Sequence, residues 1–395
     1  MKVTRFLKGC FIFLILLAIA ACGQSMTEIT SSEATRSTIR TEIASVAQSS
    51  LTHQPTSSLS PPETIVITPS RTSVYPKGVN PLTGLTVTSP ENLERRPFLI
   101  KVANSPRDVR PQEGLSSADL VFEYYAEDSS TCFSALFYGF DAERVGPISS
   151  AHFIDLEFVR MYTASLAFGS ATYEVWERIN NSEVTDRMVS EYPTGCPPMC
   201  RADPTDLYSL YTNTEDLEDY IENLGIADQG EPLTGMTFEK QAPEGGEPAD
   251  VLDIRYSLET FTQWIYDTGT GMYLRSQETG ADQVELEPLV DGLSGQRVKT
   301  ANVIVVFVPH EYYLADPEMH EFRLIGRGPA LVFRDQRAYL ITWERIDLHR
   351  GITFETDDGL SFPLKPGNSW IELVGSTSQI ERPTDDTWSV LFRIP

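Results

Sequence analysis

Short runs of β-branched and aromatic residues dominate the second half of the chain, and they constrain its fold more than any other feature. Examples are NVIVVFVPH, GPALVFR, RAYLITWERI and SWIELVG, which begin at residues 302, 328, 337 and 369. Turn dipeptides such as Thr270-Gly271 separate many of these runs, and this alternation of strand and turn signals is typical of β-rich domains. We therefore expect residues 249–375 to form a mostly β C-terminal domain.

Residues 81–230 combine strand and helix patterns. The stretch PFLIKVAN, residues 97–104, predicts a buried strand. In the next strand-like stretch, DLVFEYYAE from residue 119, apolar side chains alternate between two faces. The stretch AHFIDLEFVRMY, residues 151–162, has apolar residues at helical spacing. We therefore predict an α/β N-terminal domain here, and an α+β class for the whole chain.

The boundaries between these parts follow from composition. Residues 231–248 are rich in glycine, proline and glutamate, which is typical of a linker. Residues 376–395 follow the last of the long strand patterns and are interpreted as a C-terminal extension.

The first residues have the pattern of an export signal. Three basic residues precede the apolar stretch FIFLILLAI, and small residues then lead to Cys22. The apolar run from Cys10 to Cys22 spans only 13 residues, whereas a membrane-spanning helix needs about 20. The pattern resembles a bacterial lipobox, which implies removal of residues 1–21 and lipid attachment to Cys22. The alternative is a plain secretory signal with an incidental cysteine.

Residues 22–80 have the composition of a tether. Serine and threonine account for 22 of the 57 residues from 24 to 80. Such a segment has too little apolar surface to form a core. We expect a disordered, lipid-anchored tether that holds the folded part away from the membrane.

The cysteines of the exported part suggest one local bond. Cys196 and Cys200 are separated by Pro-Pro-Met, and we predict a disulfide between them, since disulfides persist outside the cytoplasm. Cys132 lies among strand-like residues and is interpreted as a small buried side chain.

The net charge of −25 at pH 7 argues against nucleic acid as a partner, because phosphate recognition needs a basic surface. The sequence also shows no cofactor motif. The glycines of GRGPA, residues 326–330, lie between two strand patterns rather than before a helix, so they predict a hairpin turn and not a phosphate loop. We therefore predict no cofactor.

Ser149, Ser150 and His152 stand within four positions, directly before the predicted helix. A nucleophilic serine needs a base within hydrogen-bond reach, and sequence proximity alone does not supply that geometry. The simpler interpretation is that Ser149 or Ser150 caps the helix.

Two further sets of polar residues are weaker candidates. Asp119 and Glu123 face the same way, roughly 13 Å apart along an extended strand, which is too far for a pair of catalytic carboxylates. An exposed strand face is the simpler interpretation. His310, Asp316 and His320 are metal-ligand types, but they lack the helical spacing of metal motifs, and we predict no metal site.

Several stretches together resemble the YerB family of bacterial lipoproteins. The stretches that carry the resemblance are NPLTGL, RRPFLIKVAN, RPQEGLSSADLVFEYYAE and RVGPISSAHFIDLEF in the first half, and NVIVVFV, GRGPALVFRDQRAYLITWERI and GLSFPLKPGNSWIELV in the second. They run from about residue 80 to residue 375 and imply the family's two-domain fold, without implying an activity.

One departure from the family pattern concerns charge. Where the family reads Gly-Pro-Val-Arg-Ser-Ala-Arg, this chain has Ser149 and His152 in place of the two arginines. An anion-binding role for this stretch is therefore not expected here, since His152 carries only a pH-dependent charge.

The sequence predicts an extracytoplasmic, lipid-anchored binding or accessory protein of the cell envelope. The expected partners are the membrane, through the anchor, and a cell-wall glycan or an envelope protein. The candidate binding cleft comprises Asn104, Arg110, Asp119, Glu123, Ser149, Ser150, His152 and Asp155. The alternative is a hydrolase of envelope polymers that uses Glu123, His152 or Asp155 for acid–base chemistry. A third interpretation is an interaction module that recruits partners through the β domain.

Overall fold

The computed structural model describes residues 75–226, 233, 235–280 and 285–394. The predicted signal peptide, Cys22 and most of the predicted tether lie outside the described residues. None of the helices in the described part has the length and apolar character needed to cross a membrane.

The α-helices are α1 (Phe153–Tyr162), α2 (Tyr173–Asn180), α3 (Glu191–Thr194) and α4 (Thr214–Asn223). Short 3-10 helices span Pro90–Glu94, Arg107–Val109, Leu115–Ser117 and Thr185–Arg187.

The strands fall into a first group before residue 240 and a second group after it. Those of the first group are β1 (Phe98–Ala103), β2 (Leu120–Tyr125), β3 (Thr131–Phe137), β4 (Ser165–Phe168), β5 (Met188–Ser190), β6 (Cys200–Arg201), β7 (Leu210–Tyr211) and β8 (Thr237–Phe238). Those of the second group are β9 (Glu247–Pro248), β10 (Val251–Arg255), β11 (Phe261–Asp267), β12 (Met272–Glu278), β13 (Leu286–Pro288), β14 (Lys299–Thr300), β15 (Asn302–Val308), β16 (His310–Ala315), β17 (Glu318–Phe322), β18 (Gly326–Arg334), β19 (Arg337–Arg345), β20 (Thr353–Glu355), β21 (Pro363–Leu364), β22 (Ser369–Gly375), β23 (Gln379–Glu381) and β24 (Thr387–Leu391).

A central mixed sheet contains strands from both halves of the chain. Its order is β20-β19-β18-β15-β22-β2-β3-β1-β4-β5, with β9 paired to β19. Strand β22 lies between β15 and β2 and is parallel to both. The segments predicted as an N-terminal and a C-terminal domain therefore share one sheet, joined through a strand that comes late in the chain.

Each face of the central sheet is covered by a different layer. Leu120, Phe122 and Tyr124 of β2 point toward α1, where Phe122 stacks on Phe158 with ring centroids 4.1 Å apart. Val121 points to the opposite face, into a second core. Burying a side chain as large as phenylalanine contributes about 2–3 kcal/mol, so the alternation in β2 fixes which face receives the helix.

A second sheet packs on part of that opposite face. Its order is β13-β12-β11-β10-β24-β23, with β14 paired to β12. Trp264 of β11 packs against Trp370 of β22, with ring centroids 5.3 Å apart. Residues 376–395, expected to be an extension, supply β23 and β24 of this sheet. The fold is α+β, as predicted: the helices of the described part all end by Asn223, and the described residues after it form mostly β-strands.

A hairpin stands apart from both sheets. Strands β16 and β17 pair only with each other among the described strands. Residues 311–315 of β16 are exposed. The hairpin adjoins the helix face near α1, where Phe322 contacts the ring of Tyr124 at 5.6 Å between centroids.

Candidate functional site

The carboxyl ends of four parallel strands meet at one edge of the central sheet. Strands β1, β2, β4 and β5 run in the same direction, because β1 and β2 are both antiparallel to β3 and parallel pairing continues through β4. The segments after these strands contribute Asn104, Glu127, Ser170 and Glu191 to the walls of two adjacent cavities. Crevices outside the carboxyl ends of parallel strands are the usual ligand sites of α/β sheets.

The two cavities have different walls. The hairpin cavity, about 510 Å³, lies between the turn after β2, the segment before α1 and the hairpin β16–β17. The serine cavity, about 460 Å³, has hydroxyl groups from Ser130, Thr131, Ser149, Ser150 and Ser170 among its walls. Glu127, Ser150 and His152 line both. Both volumes lie in the range of small-molecule and peptide sites.

His152 and Glu127 form the partition between the cavities. His152 Nε2 lies 2.8 Å from Glu127 Oε2, and His152 Nδ1 lies 3.2 Å from the Tyr124 hydroxyl. Since a carboxylate only accepts, His152 Nε2 donates to Glu127. The Tyr124 hydroxyl lies within reach of both His152 Nδ1 and Asp155 Oδ1, each at 3.2 Å. Burial alone would raise the pKa of Glu127, but the contact with His152 outweighs it and holds that pKa below its usual value.

The start of helix α1 places His152. The helix begins at Phe153 with His152 as its N-cap, and Asp155 Oδ2 accepts from the His152 backbone N–H at 2.7 Å. A carboxylate at the third helical position satisfies an orphan N–H of the first turn. The prediction that Ser149 or Ser150 caps this helix is therefore wrong: the helix begins later, and Asp155 does part of the capping.

A buried polar network lies beneath the partition. Lys101 Nζ donates to Ser134 Oγ at 2.9 Å, to Asp155 Oδ1 at 3.1 Å and to the Tyr124 oxygen. Burial alone would lower the pKa of Lys101, but the Asp155 carboxylate outweighs it and raises that pKa. Burial also holds the pKa of Tyr124 well above its usual value. The network keeps Tyr124 as a phenol that positions His152.

Among the described residues, Ser149 and Ser150 contact a thiol and another hydroxyl rather than a base. Ser149 Oγ lies 3.0 Å from Cys132 Sγ, and Ser150 Oγ lies 3.0 Å from Ser170 Oγ. Burial raises the pKa of Cys132, although Lys101 opposes the shift. Cys132 is buried, as predicted, and is held as a neutral thiol. Neither serine has an activated partner of the kind that nucleophilic catalysis needs.

Asn104 and Arg110 lie at the far side of the serine cavity. Asn104 donates to Thr131 Oγ1 at 2.8 Å and lines that cavity. Arg110 lines a separate cavity of about 230 Å³ and pairs with Glu278 at 2.8 Å. Burial lowers the pKa of Arg110, although Glu278 opposes the shift. Arg110 therefore joins the first half of the chain to the second sheet rather than lining the cleft.

Glu123 and Asp119 are buried, so an exposed strand face is the wrong interpretation. Glu123 lies between the two sheets, with Arg275 Nη2 at 2.9 Å from its Oε2. Asp119 stands five residues before Tyr124, roughly 16 Å away along an extended strand. It accepts from the backbone N–H groups of Tyr138 and Gly139 at 2.6 and 2.8 Å. Burial raises the pKa of Asp119 to about 6. The second sheet, which the alternation in β2 cannot reveal, covers Glu123.

Reasoning from sequence missed several residues of the site. Lys101 is the only charged residue of β1, and a lone charge in a buried strand is a signal for an interior ion pair. Glu318 reaches the hairpin cavity from nearly 200 residues away in sequence, next to His320, which the sequence offered only as a candidate metal ligand. Nothing local to Glu127 identifies it as the partner of His152.

The remaining sequence candidates concern metals and disulfides. Among the described residues, no group of three or more histidine, cysteine, aspartate or glutamate side chains is placed to hold a metal ion. His310 donates to the Val308 carbonyl at 2.7 Å, whereas Asp316 and His320 line the hairpin cavity. Cys196 and Cys200 are joined in a disulfide.

Similarity to known proteins covers most of the described chain. Residues 82–227 match a family described as "Protein of unknown function (DUF3048) N-terminal domain", and residues 252–371 match the C-terminal domain of the same family. A relative from Bacillus subtilis (strain 168), "Putative lipoprotein YerB", is 26% identical over 309 residues, or 74% of this chain and 85% of the relative. The crystal structure of the YerB protein from Bacillus subtilis superposes with a TM-score of 0.63 at 24% identity. It covers 75% of this chain and 96% of that one.

Proposed function

The chain belongs to the DUF3048 family, and from this premise we propose that it is a lipid-anchored accessory protein of the cell envelope that binds a ligand in the paired cavities. The anchor is the lipid on Cys22, and residues 22–80 serve as the tether. The relative named as a lipoprotein supports the anchor. The folded part carries the cleft, which we call the paired cleft: the hairpin cavity and the serine cavity together.

The observation that carries the proposal is the shared wall of His152 and Glu127. Two cavities of about 510 and 460 Å³ meet at this pair, at the carboxyl edge of the sheet. The buried Lys101–Asp155 pair and Tyr124 hold His152 from below. A rigid, buried support under a polar wall is what a preorganised binding site requires.

The geometry favours binding over hydrolysis. Glu123 lies on the opposite face of the sheet from His152, and Asp155 is fully buried at the start of α1. Of the three residues on which the hydrolase alternative depends, only His152 lines the cavities. Both ring nitrogens of His152 are already engaged, by Tyr124 and Glu127. We therefore do not assign acid–base roles to these residues.

A blocking substitution tests the cleft. Ser150 lines both cavities, so Ser150→Trp should fill their junction. We expect the full-length chain, purified in detergent, to be retained on purified cell wall, and the variant to lose that retention at least tenfold. The matched control is Asn180→Trp at an exposed position of α2, which should be retained like the wild type. Retention of the Ser150→Trp variant at the wild-type level would rule out the paired cleft as the binding site.

A second pair of variants tests the anchor. Cys22→Ala removes the predicted acceptor of the lipid and should move the chain from the membrane fraction to the soluble exported fraction. Cys10→Ala lies within the segment predicted to be removed and should leave the membrane association unchanged. Membrane retention of the Cys22→Ala variant would contradict lipid attachment at that residue.

A further inference from the structure

We infer that the hairpin cavity binds a primary ammonium group on an aliphatic stem, of the kind that a lysine-type side chain carries. This inference rests on the proposed function and names the ligand class for one half of the paired cleft. Glu127, Asp128, Asp316 and Glu318 line this cavity, and none of its described lining residues is lysine or arginine. A set of carboxylates with no lysine or arginine among them favours a cation.

Glu318 is the best-positioned of these carboxylates. It accepts from the Asp128 backbone N–H at 3.0 Å, from His320 Nε2 at 2.9 Å and from the Tyr125 hydroxyl at 3.2 Å. These donors come from the end of β2, from the turn after it and from the hairpin itself, so Glu318 joins the two walls of the cavity. A carboxylate fixed by several donors presents its charge in one position and loses little entropy when a ligand binds.

His320 supplies an independent indication of a ligand. Its side chain is buried and forms part of the cavity wall, and its Nδ1 has no hydrogen-bond partner among the described residues. Because Nε2 faces the Glu318 carboxylate and must donate to it, Nδ1 of the neutral ring is a bare acceptor. A buried acceptor without a partner is costly, and an N–H donor from a ligand would satisfy it.

Two tyrosine rings of the cavity wall pack against the His320 ring. The His320 ring lies 4.6 Å from the Tyr312 ring and 5.4 Å from the Tyr125 ring, measured between centroids. Faces of aromatic rings attract cations, by about 0.5–2 kcal/mol in typical cases. Carboxylates, a bare nitrogen acceptor and aromatic faces together match an ammonium group, which carries three donors and a positive charge.

The rest of the cavity wall indicates what the ammonium group is attached to. Phe153, Val175 and Met319 line the cavity, and they offer apolar contact without hydrogen-bonding groups. An aliphatic stem fits such a wall better than the hydroxyl-rich ring of an amino sugar. The serine cavity is different, because its walls carry several hydroxyl groups and the Arg201 guanidinium.

Binding of small probes tests the inference. The full-length chain in detergent is titrated calorimetrically with Nα-acetyl-lysine methylamide, with the same compound acetylated on its side-chain amine, and with glucosamine. We expect the free lysine amine to bind at least tenfold more tightly than either of the other two. Equal affinity for the free and acetylated amines, preference for glucosamine, or no binding of the free amine would overturn the inference.

Charge-removing variants locate the site. Asp316→Asn, at an exposed position between the two strands of the hairpin, should weaken amine binding about threefold to tenfold, and Glu318→Gln should weaken it further. The control is Glu311→Gln, which removes an exposed carboxylate of the same hairpin that pairs with Arg323 outside the cavity, and it should bind like the wild type. Unchanged binding by the Asp316→Asn variant would overturn the assignment to this cavity.

Cell wall with acetylated free amines separates the two proposals. Reduced retention of the wild type on acetylated wall supports the inference. If retention on untreated and acetylated wall is equal but still sensitive to Ser150→Trp, the paired cleft stands and the ammonium ligand is wrong. If the chain is retained on neither wall and binds no amine, both proposals fail.

Discussion

Two fully buried ion pairs lie on opposite faces of β2, and they differ in what surrounds them. Lys101 and Asp155 pair on the helix face, whereas Arg275 and Glu123 pair between the two sheets. The first pair connects through Tyr124 to His152 at the cavity wall. The second is enclosed by tryptophan and threonine side chains and lines none of the cavities described above. A buried carboxylate is therefore not by itself a sign of a binding site. The connection to a cavity wall is what distinguishes the Lys101–Asp155 pair from the Arg275–Glu123 pair.

The largest expected effect comes from Arg275→Met. Glu123 and Glu372 occupy paired positions on neighbouring strands, and Arg275 is the cation that offsets them. Removing one partner of a buried pair typically costs about 3–5 kcal/mol of unfolding free energy, to be measured by urea denaturation. The double variant Arg275→Met/Glu123→Gln should recover part of that loss. A cost below about 1 kcal/mol for the single variant would contradict the interpretation that the Arg275–Glu123 pair is enclosed between the two sheets.

Lys101→Met should cost less, about 2–4 kcal/mol. Asp155 keeps three other donors in this variant, the Ser134 hydroxyl at 2.7 Å, the His152 backbone N–H at 2.7 Å and the Tyr124 hydroxyl at 3.2 Å. The double variant Lys101→Met/Asp155→Asn is the control. If Lys101→Met proves more destabilising than Arg275→Met, the proposed difference between the pair connected to the cavity wall and the pair enclosed between the sheets is wrong.

The pH dependence of unfolding in the Glu372→Gln variant tests whether Glu372 is protonated in the folded protein. Burial, reinforced by the neighbouring Glu123, raises the pKa of Glu372 well above its usual 4.5. The unfolded chain therefore releases this proton at lower pH than the folded chain, and the Glu372 contribution to stability falls as pH rises above about 4.5. The variant lacks this decline, so the stability of the wild type relative to the variant should decrease between pH 4.5 and 7.5.

At pH 7 the same substitution should cost less than about 1 kcal/mol, because an amide can keep the hydrogen bonds with Trp264 and Tyr256. Wild-type contacts are 2.8 Å from Trp264 Nε1 and 2.9 Å from the Tyr256 hydroxyl. The measured quantity is the unfolding free energy of the wild type minus that of the variant. If this difference stays constant or rises across the pH range, Glu372 is ionised in the folded protein.

Glu127→Gln should have the smallest effect on stability, less than about 0.5 kcal/mol. The Glu127 side chain is 44% exposed, so solvent screens its pairing with His152. Its effect on retention by cell wall should be larger, because the carboxylate lines both cavities. A variant with wild-type retention and reduced stability would place Glu127 with the structural pairs instead of the cleft.

The sequence predicts the strands of this protein better than their packing. The alternation of Leu120, Phe122 and Tyr124 identifies the helix face of β2 correctly, because it depends only on the two-residue period of a strand. The burial of Glu123 depends on a sheet formed more than 120 residues later, and no local pattern reveals it. Trp343 and Trp370, which lie in strongly apolar strand patterns, are buried.

The candidate site is only partly visible in the sequence for the same reason. Asn104, Ser150 and His152 line the cavities. They follow a strand or precede a helix at the edge of the central sheet where the carboxyl ends of the parallel strands meet. Such segments can be identified locally. The opposing wall comes from the hairpin at residues 310–322, whose position over the edge is set by packing against Tyr124 and its neighbours. Reasoning from single segments cannot bring the two walls together.

The place of β22 in the central sheet has a consequence for the order of folding. As the chain is synthesised from its N-terminus, β2 and β15 both precede the strand that joins them, Ser369–Gly375. Until those residues emerge, each partial sheet ends in an apolar strand with open hydrogen-bonding groups, which is a template for aggregation. The nascent chain thus needs protection over almost its whole length, and a fragment cut between the two family domains should bind chaperones rather than fold.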